Sequence, residues 1–293
     1  MLNKKYLKVY LILLAFIFLF TAVSAYIIYH QQKTDTESDA DYSEDISLEI
    51  VEDLSSEPTV QAEIIYYDKS WYESEIINYS DVILPYCNSN TNYFAETVFV
   101  GDSNTEGLAL FEHIAYSNVV GKHSMPIQGV TNDDYLLVNE DNPETEEDES
   151  QYITMLQVLA SKQPKRIIIN FGTNNAGKGA SADYFAYMYS SVLAQIKAVC
   201  PNTEIVIASV LPVCLERENL NLRQDVIDSF NIELAQICRN NGFGFLNYNE
   251  VFKDIATGYG NPSYFSADGV HLNRNGYGLL LDYVENHQYN INR

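Results

Sequence analysis

A serine, an aspartate and a histidine stand at spacings that suit nucleophilic catalysis. Ser103 lies in the run GDSNTEG, between small and polar residues and directly after the apolar run TVFV. A serine hydroxyl is a poor nucleophile until a base takes its proton. His271 is a candidate for that base, because Asp268 stands three residues earlier on a glycine-containing turn and can hold the imidazole in one tautomer. The chemistry indicated is acyl transfer through a serine ester.

Each of these residues also has a structural interpretation. Ser103 precedes the helical run TEGLALFEHI and could be its N-cap, which is compatible with catalysis because a helix N-terminus stabilises negative charge. Asp268 could cap a turn. No further histidine or carboxylate stands at ligand spacing, so the sequence predicts neither a metal site at Asp268 and His271 nor a cofactor. Among the five histidines, His123 is the rival base.

The elements that must position these residues follow an alternating pattern of strands and helices. The predicted strands are Thr97–Val100, Arg166–Phe171, Glu204–Val210 and Phe243–Asn247, with Ser117–Val120 as a weaker fifth. The predicted helices are Tyr152–Lys162, Ala182–Val199, Arg223–Asn240 and Asn275–His287, and Glu140–Ser150 is a predicted surface insertion. Apolar strands separated by helices indicate a parallel sheet covered on both faces. Ligands bind beyond the carboxyl ends of such strands, where GDSNTEG and the run GTNN both fall.

Three short runs carry a family resemblance. GDSNTEG resembles the first block of the GDSL/SGNH hydrolases, GTNN resembles their third block and DGVHL their last. The three runs occur in that order and extend from Gly101 to beyond His271. The resemblance implies a three-layer α/β/α fold with a flavodoxin-like parallel sheet. It also implies that Ser103 is the nucleophile, His271 the base and Asp268 the residue that orients the base.

The same resemblance implies an oxyanion hole with three hydrogen-bond donors. The family uses the backbone N–H of the nucleophile, the backbone N–H of a glycine in its second block and an asparagine side chain in its third block. The matching positions are Ser103, Gly129 in the run SMPIQGVT, and Asn174, with Gly121 as the alternative to Gly129. Removal of one such donor lowers the rate by roughly 10²–10³ in well-studied enzymes.

Two positions depart from the family pattern. Asn175 stands where the third block commonly has aspartate, and Leu272 stands where the last block often has proline. Because Asn174 is the donor, the change at Asn175 is expected to affect packing more than chemistry. Neither departure removes a reacting group, so the resemblance implies an active enzyme.

The N-terminal segment has the composition and length of a membrane anchor. Val9–Tyr29 carries no charge and has about the 20 residues that a helix needs to cross a bilayer. Three lysines precede it, and the positive-inside rule then places residues 1–8 in the cytoplasm and the rest of the chain outside. The sequence thus predicts a single-pass protein of the cell membrane. The alternative is a signal peptide cleaved after Val23-Ser24-Ala25.

The remaining segments differ in composition. Residues 30–63 are rich in acidic and hydroxyl side chains and are predicted to be a disordered tether. Residues 64–95 are aromatic and mixed, and are expected to be a lead-in packed on the catalytic domain at 96–293. None of the four cysteines forms a CxxC pair. We expect free, mostly buried thiols, with disulfides as the alternative for an exported domain.

Net charge and membrane topology limit the classes of substrate that the sequence predicts. A formal net charge of −23 argues against nucleic acid, whose binding requires lysine and arginine, and leaves neutral or cationic substrates open. A domain held outside the membrane suggests an acylated cell-wall or extracellular glycan as the ester substrate, from which acetyl or other short acyl groups are removed. No apolar lid segment is evident, which disfavours long-chain lipids. An acyltransferase with the same residues and a non-catalytic glycan-binding module are the alternatives.

Overall fold

The computed structural model describes residues 67–87, 92–139, 151–218 and 222–289. All of them belong to the second of the two units into which the chain divides, Ile64–Arg293. The predicted anchor at 9–29 and tether at 30–63 lie outside the described residues. Within the described ranges, no helix combines the length and the apolar character that a bilayer crossing requires.

The described residues contain seven strands, five of which form one parallel sheet. The strands are β1 Thr97–Gly101, β2 Val119–Gly121, β3 Leu136–Asn139, β4 Gln151–Ile153, β5 Arg166–Asn170, β6 Glu204–Ala208 and β7 Gly244–Leu246. The sheet order is β2-β1-β5-β6-β7, while β3 and β4 form a separate antiparallel hairpin. All five predicted strands are present in the sheet. The order, without the hairpin, is the flavodoxin-like one.

Nine α-helices lie in the described ranges. They are α1 Lys69–Ile76, α2 Ser103–Leu110, α3 Gly129–Asn132, α4 Met155–Lys162, α5 Thr173–Gly177, α6 Ala182–Val199, α7 Gln224–Asn241, α8 Asn249–Phe252 and α9 Arg274–Asn286. The predicted helix at 152–162 begins too early, because residues 151–153 pair in the hairpin. Thr154 then caps α4, and its capping box with Gln157 sets the start of the helix.

Alternate residues of the central strands face opposite sides of the sheet, which creates three layers. In β5, Ile167 and Ile169 pack in one cluster with residues of α4, α6 and α7. Ile168 packs in the other cluster with residues of α2 and α9. This confirms the three-layer α/β/α architecture. All four cysteines are free thiols and three of them are buried, as expected from the sequence.

The segment before β1 packs against the sheet and its helices. Tyr72 of α1 is buried, and its hydroxyl donates to Asn247 Oδ1 at 3.2 Å and accepts from Asn249 Nδ2 at 3.0 Å. Ile83 forms a parallel bridge to Phe245 at the outer edge of β7. Residues 67–87 therefore supply core contacts and cover the edge of the sheet.

Candidate active site

The candidate site lies where the strand order reverses, between β1 and β5. Ser103 follows β1 and begins α2, while Asn174 follows β5 and lies in α5. The parallel register pairs Gly101 with Asn170, so the two loops leave the sheet at the same level. Ligands of open α/β sheets bind in the crevice at this reversal, beyond the carboxyl ends of the strands. The fold thus brings the first and third sequence blocks together.

Ser103, His271 and Asp268 form a continuous hydrogen-bonded chain. Ser103 Oγ lies 2.8 Å from His271 Nε2, and His271 Nδ1 lies 2.7 Å from Asp268 Oδ2. Because Nδ1 faces a carboxylate, it carries the imidazole proton, which leaves Nε2 free to accept a proton from the serine. The three residues that spacing and family resemblance indicated as catalytic therefore lie in the geometry that nucleophilic catalysis needs.

Asp268 both caps the turn and faces the histidine. Its Oδ1 accepts the backbone N–H groups of Val270 and His271, each at 2.9 Å. Partial burial acts to raise the pKa of the Asp268 carboxyl, but the hydrogen bonds from these N–H groups and from the imidazole outweigh it and lower that pKa. The carboxylate is therefore ionised at neutral pH and can stabilise a positive charge on the imidazole.

Gly269 makes the turn between aspartate and histidine possible. Its φ of +67° lies in the left-handed region, which glycine adopts without a steric penalty. Its carbonyl accepts the backbone N–H of Cys214 at 2.9 Å, and a Cβ at this position would lie only 3.0 Å from the Cys214 Cβ. The tight turn lets one short segment present both the carboxylate and the imidazole.

Asn104 fixes the histidine loop to the helix that carries the nucleophile. Its buried side chain accepts the Leu272 N–H at 3.0 Å and donates to the Val270 carbonyl oxygen at 3.3 Å. These two residues flank His271, and Asn104 directly follows Ser103. Sequence reasoning missed this residue, because its partners are 166 and 168 positions away and nothing local distinguishes it from other polar residues of the helix.

Asp102 links the start of α2 to the third block. Asp102 is the N-cap of α2, because its Oδ1 accepts the Asn104 N–H at 3.2 Å. The interpretation of Ser103 as the N-cap is therefore wrong. Oδ2 of Asp102 accepts from Asn174 Nδ2 at 3.2 Å, and the same amide nitrogen donates to the Met125 carbonyl oxygen at 3.3 Å. Complete burial raises the pKa of Asp102 to about 6, against the opposing effect of these bonds.

Asn175 has the structural role expected of it. Its buried side chain accepts the Ile127 N–H at 3.1 Å and donates to Gln128 Oε1 at 3.1 Å. These contacts tie the loop that follows β2 to the loop that follows β5. The two neighbouring asparagines therefore differ in surroundings, since Asn174 borders the cavity and Asn175 does not.

The structure corrects the prediction for Gly129. This residue is buried at the start of α3, and its N–H donates to the Pro126 carbonyl oxygen at 2.9 Å, so it is not available to an oxyanion. Gly121 instead allows close packing, because a Cβ there would lie 2.6 Å from the Glu106 backbone nitrogen. Ser124 of the same segment does line the cavity, with a left-handed φ of +57°. In the described part of the chain its N–H has no acceptor.

The site opens into a cavity of about 620 Å³. This volume lies within the ~300–1,000 Å³ typical of ligand sites. Ser103, Asn174 and His271 line it, and so do the cationic side chains of Lys178 and Arg217. A second cavity of about 630 Å³ adjoins the first, because Arg217 and Asp268 line both of them.

His123, the rival base, also lines the cavity but is held by another residue. Its backbone N–H donates to Glu106 Oε2 at 3.0 Å, and its ring Nδ1 lies 3.4 Å from the same oxygen. Among the described residues only His271 forms a hydrogen bond to the Ser103 hydroxyl. No three histidine, cysteine or carboxylate side chains in those ranges converge as metal ligands would.

Comparisons with known proteins bear on both family and fold. The model of the GDSL-like Lipase/Acylhydrolase family matches residues 99–279. Comparison with curated proteins yields no significant match. A solved structure from Streptococcus pneumonia, of a protein provisionally named a platelet activating factor, is 19% identical, covers 75% of this chain and 96% of its own, and has a TM-score of 0.50. That likeness shows a shared fold.

Two further solved structures are similar to this chain. A GDSL-like lipase from Bacteroides thetaiotaomicron is 19% identical, with 73% of this chain and 94% of that chain covered and a TM-score of 0.46. A lipase/acylhydrolase from Enterococcus faecalis is 16% identical, with 64% and 92% covered and a TM-score of 0.44.

Proposed function

This chain belongs to the GDSL-like lipase/acylhydrolase family and is a serine ester hydrolase of that type, and we propose that it removes acetyl or other short acyl groups from cell-wall or extracellular glycans. The observation that supports the catalytic part is the hydrogen-bonded chain of Ser103, His271 and Asp268 beside an open cavity. In this proposal the reaction proceeds through an acyl-enzyme on Ser103.

In the first half of the reaction, Ser103 Oγ attacks the ester carbonyl carbon while His271 Nε2 takes the hydroxyl proton. The carbonyl oxygen becomes an oxyanion. We assign the hydrogen-bond donors of this oxyanion to the backbone N–H groups of Ser103 and Ser124 and to the side-chain amide of Asn174. The Asn174 amide gives up one of its two present hydrogen bonds when it donates to the oxyanion. Collapse of the intermediate breaks the bond to the alcohol, which leaves with the proton from His271.

In the second half, water attacks the acyl carbon and gives its proton to His271. The new tetrahedral intermediate breaks the bond to Ser103 Oγ, which recovers its proton from the imidazole, and the free acid leaves. Asp268 remains ionised throughout, because its backbone hydrogen bonds keep its pKa low. No group beyond the chain's own residues and water is needed for this sequence of steps.

The lining of the cavity supports a short acyl group. Apart from the glycine, its apolar members are Leu222 and Val270, while the other described lining residues are polar or charged. The cavity is open to solvent, so a long alkyl chain bound there would keep much of its contact with water and would gain little from binding. A small acyl group on a hydrated sugar suits this surface.

The extracytoplasmic location is proposed on sequence grounds. The uncharged segment Val9–Tyr29 follows three lysines, which orient such a segment with its N-terminus inside. A domain tethered outside the membrane meets wall and extracellular polymers. Protease added to intact cells should then degrade the catalytic domain, and protection until lysis would contradict this location.

The catalytic proposal is tested with the full-length protein and p-nitrophenyl esters of acetate, butyrate and dodecanoate. We expect Ser103-dependent turnover that is fastest for the shortest acyl groups. Ser103→Ala and His271→Ala should each abolish it, whereas Ser191→Ala, at an exposed serine of α6, should not. Turnover that survives in the Ser103→Ala protein would contradict the mechanism, and a preference for dodecanoate would contradict the substrate proposal.

A further inference from the structure

We propose that Lys178 and Arg217 form an anion-binding subsite next to Ser103, which selects esters whose alcohol portion carries a carboxylate or a phosphate. The inference rests on the proposed function, because it assigns a substrate class to the same cavity. It also reverses an expectation. The net charge of −23 leaves neutral or cationic substrates open, whereas the cavity itself is lined by two cationic side chains, those of Lys178 and Arg217.

Both cations are attached to the catalytic segments. Lys178 is the C-cap of α5, and its backbone N–H donates to the Asn174 carbonyl oxygen at 3.2 Å. Arg217 ends a short 3₁₀ turn that begins after Cys214, whose N–H donates to Gly269 in the turn before the catalytic histidine. One cation is therefore joined to the segment of the amide donor and the other to the segment of the base. An alcohol group that leaves from Ser103 lies in the cavity that they share.

The local balance of charge favours an anion. In the described part of the chain, the Lys178 ammonium forms no ion pair or hydrogen bond, whereas Lys165 pairs with Glu96. Of the described residues that line the cavity, Asp268 is the one carboxylate, and it faces the imidazole. Glu216 lines the adjoining cavity but not this one. An anionic substrate group thus has an unpaired ammonium and a guanidinium as neighbours.

The distance of a charge from the cavity determines how strongly it acts on a bound substrate. Exposed charges separated by more than about 8–10 Å are largely screened at physiological salt. The side chains of the cavity wall therefore have the strongest influence on a bound substrate, and Lys178 and Arg217 are among them. The adjoining cavity shares Arg217 and leaves room for further units of a polymer. The substrate class that fits is an acylated acidic glycan, with uronic acid or phosphate groups near the ester.

The test compares two chromogenic acetates with the full-length protein: neutral 4-nitrophenyl acetate and 3-carboxy-4-nitrophenyl acetate, whose leaving group carries a carboxylate. Lys178→Gln and Arg217→Gln should each lower kcat/KM for the anionic ester by about threefold or more, and change it for the neutral ester by less than about twofold. Arg217→Lys should keep most of the preference. Glucuronate and glucose 1-phosphate should inhibit more strongly than glucose, and the stronger of the two identifies the anion.

Lys162→Gln is the matched control, because it changes the net charge equally. Lys162 ends α4 and donates to the Ser117 carbonyl oxygen before β2, at the amino ends of the strands, whereas the site lies beyond their carboxyl ends. If the ratio of anionic to neutral kcat/KM is the same in wild type, Lys178→Gln and Arg217→Gln, the subsite is refuted while the hydrolase proposal stands. If Lys162→Gln lowers the ratio as much as they do, overall charge explains the effect and the subsite is again refuted. Absence of Ser103-dependent turnover of both esters would instead overturn the proposed function itself.

Discussion

The side chain of Asn104 hydrogen-bonds to the backbone on both sides of His271, through Leu272 N–H and the Val270 carbonyl oxygen. Asn104 is also the next residue after Ser103. The nucleophile and its base are therefore connected by two bonds besides the one between their own side chains. This relationship holds the serine hydroxyl and the imidazole at hydrogen-bond distance, although they are separated by 168 positions in the chain.

Replacement of Asn104 should reduce both the catalytic rate and the stability of the fold. Asn104→Leu keeps the approximate volume but removes both bonds, so the imidazole loses its fixed position. A displacement of about 1 Å costs on the order of 10²-fold in rate, and we expect kcat to fall by about 10–100-fold. The unpaired backbone groups should cost about 1–3 kcal/mol of unfolding free energy.

The measurements for Asn104→Leu are kcat, the pH profile of kcat/KM and urea denaturation. Asn104→Asp keeps the acceptor for Leu272 N–H and loses the donor to Val270, so its kcat should lie between those of wild type and Asn104→Leu. A normal kcat and pH profile in a destabilised Asn104→Leu protein would show that this residue supports the fold alone.

Substitutions of the neighbouring residues Asn174 and Asn175 should have different effects, one on activity and the other on stability. Asn174→Ala removes an oxyanion donor and should lower kcat by roughly 10²–10³ with little change in KM. Asn175→Ala leaves the buried Ile127 N–H without its acceptor and should lower the free energy of unfolding by about 1–3 kcal/mol. Each protein serves as the control for the other. Equal losses of activity and stability in both would contradict the assignment of Asn174 to the oxyanion.

The buried Asp102 carboxyl predicts a particular dependence of stability on pH. Burial raises its pKa from 3.8 to about 6 in the folded protein. The unfolded chain therefore loses this proton at lower pH than the folded chain does. The contribution of Asp102 to stability is present below pH ~4 and is lost as the pH rises through about 6, by at most about 3 kcal/mol.

The check on Asp102 is urea denaturation of wild type and Asp102→Asn at pH 4.5 and pH 7.5. The asparagine keeps an oxygen that can accept the N–H at the start of α2. Relative to this variant, wild type should be less stable at pH 7.5 than at pH 4.5. The opposite sign would mean that the hydrogen bonds to the carboxylate outweigh its burial.

The segment before β1 should be required for stability. Tyr72→Phe removes a buried hydroxyl that donates to Asn247 and accepts from Asn249, and we expect a loss of about 1–3 kcal/mol of unfolding free energy. Tyr86→Phe is the matched control, because Tyr86 is 71% exposed and its variant should lie within about 0.5 kcal/mol of wild type. Equal effects in urea denaturation would show that the buried contacts of Tyr72 contribute little.

Local patterns in the sequence determined most of the architecture. Apolar strands, helical periods and strand-to-helix alternation predict the five-stranded parallel sheet, since backbone hydrogen bonding and burial impose those periods on any such chain. The hairpin strand β4 was missed because Gln151–Ile153 is short and runs into a helical pattern. Ser103 and Asn174 were found because their motifs are local and directly follow strands, and Asp268 and His271 were found because both belong to one short run.

The tertiary structure decided what depends on distant neighbours. The N–H of Gly129 is used within its own turn, so Ser124 faces the cavity instead. The role of Asn104 depends on a loop 166 positions away. The total charge of −23 did not reveal that Lys178 and Arg217 line the site. Motif spacing determines which groups can react, but the availability of a donor and the charge at a cavity wall are set only when remote segments pack together.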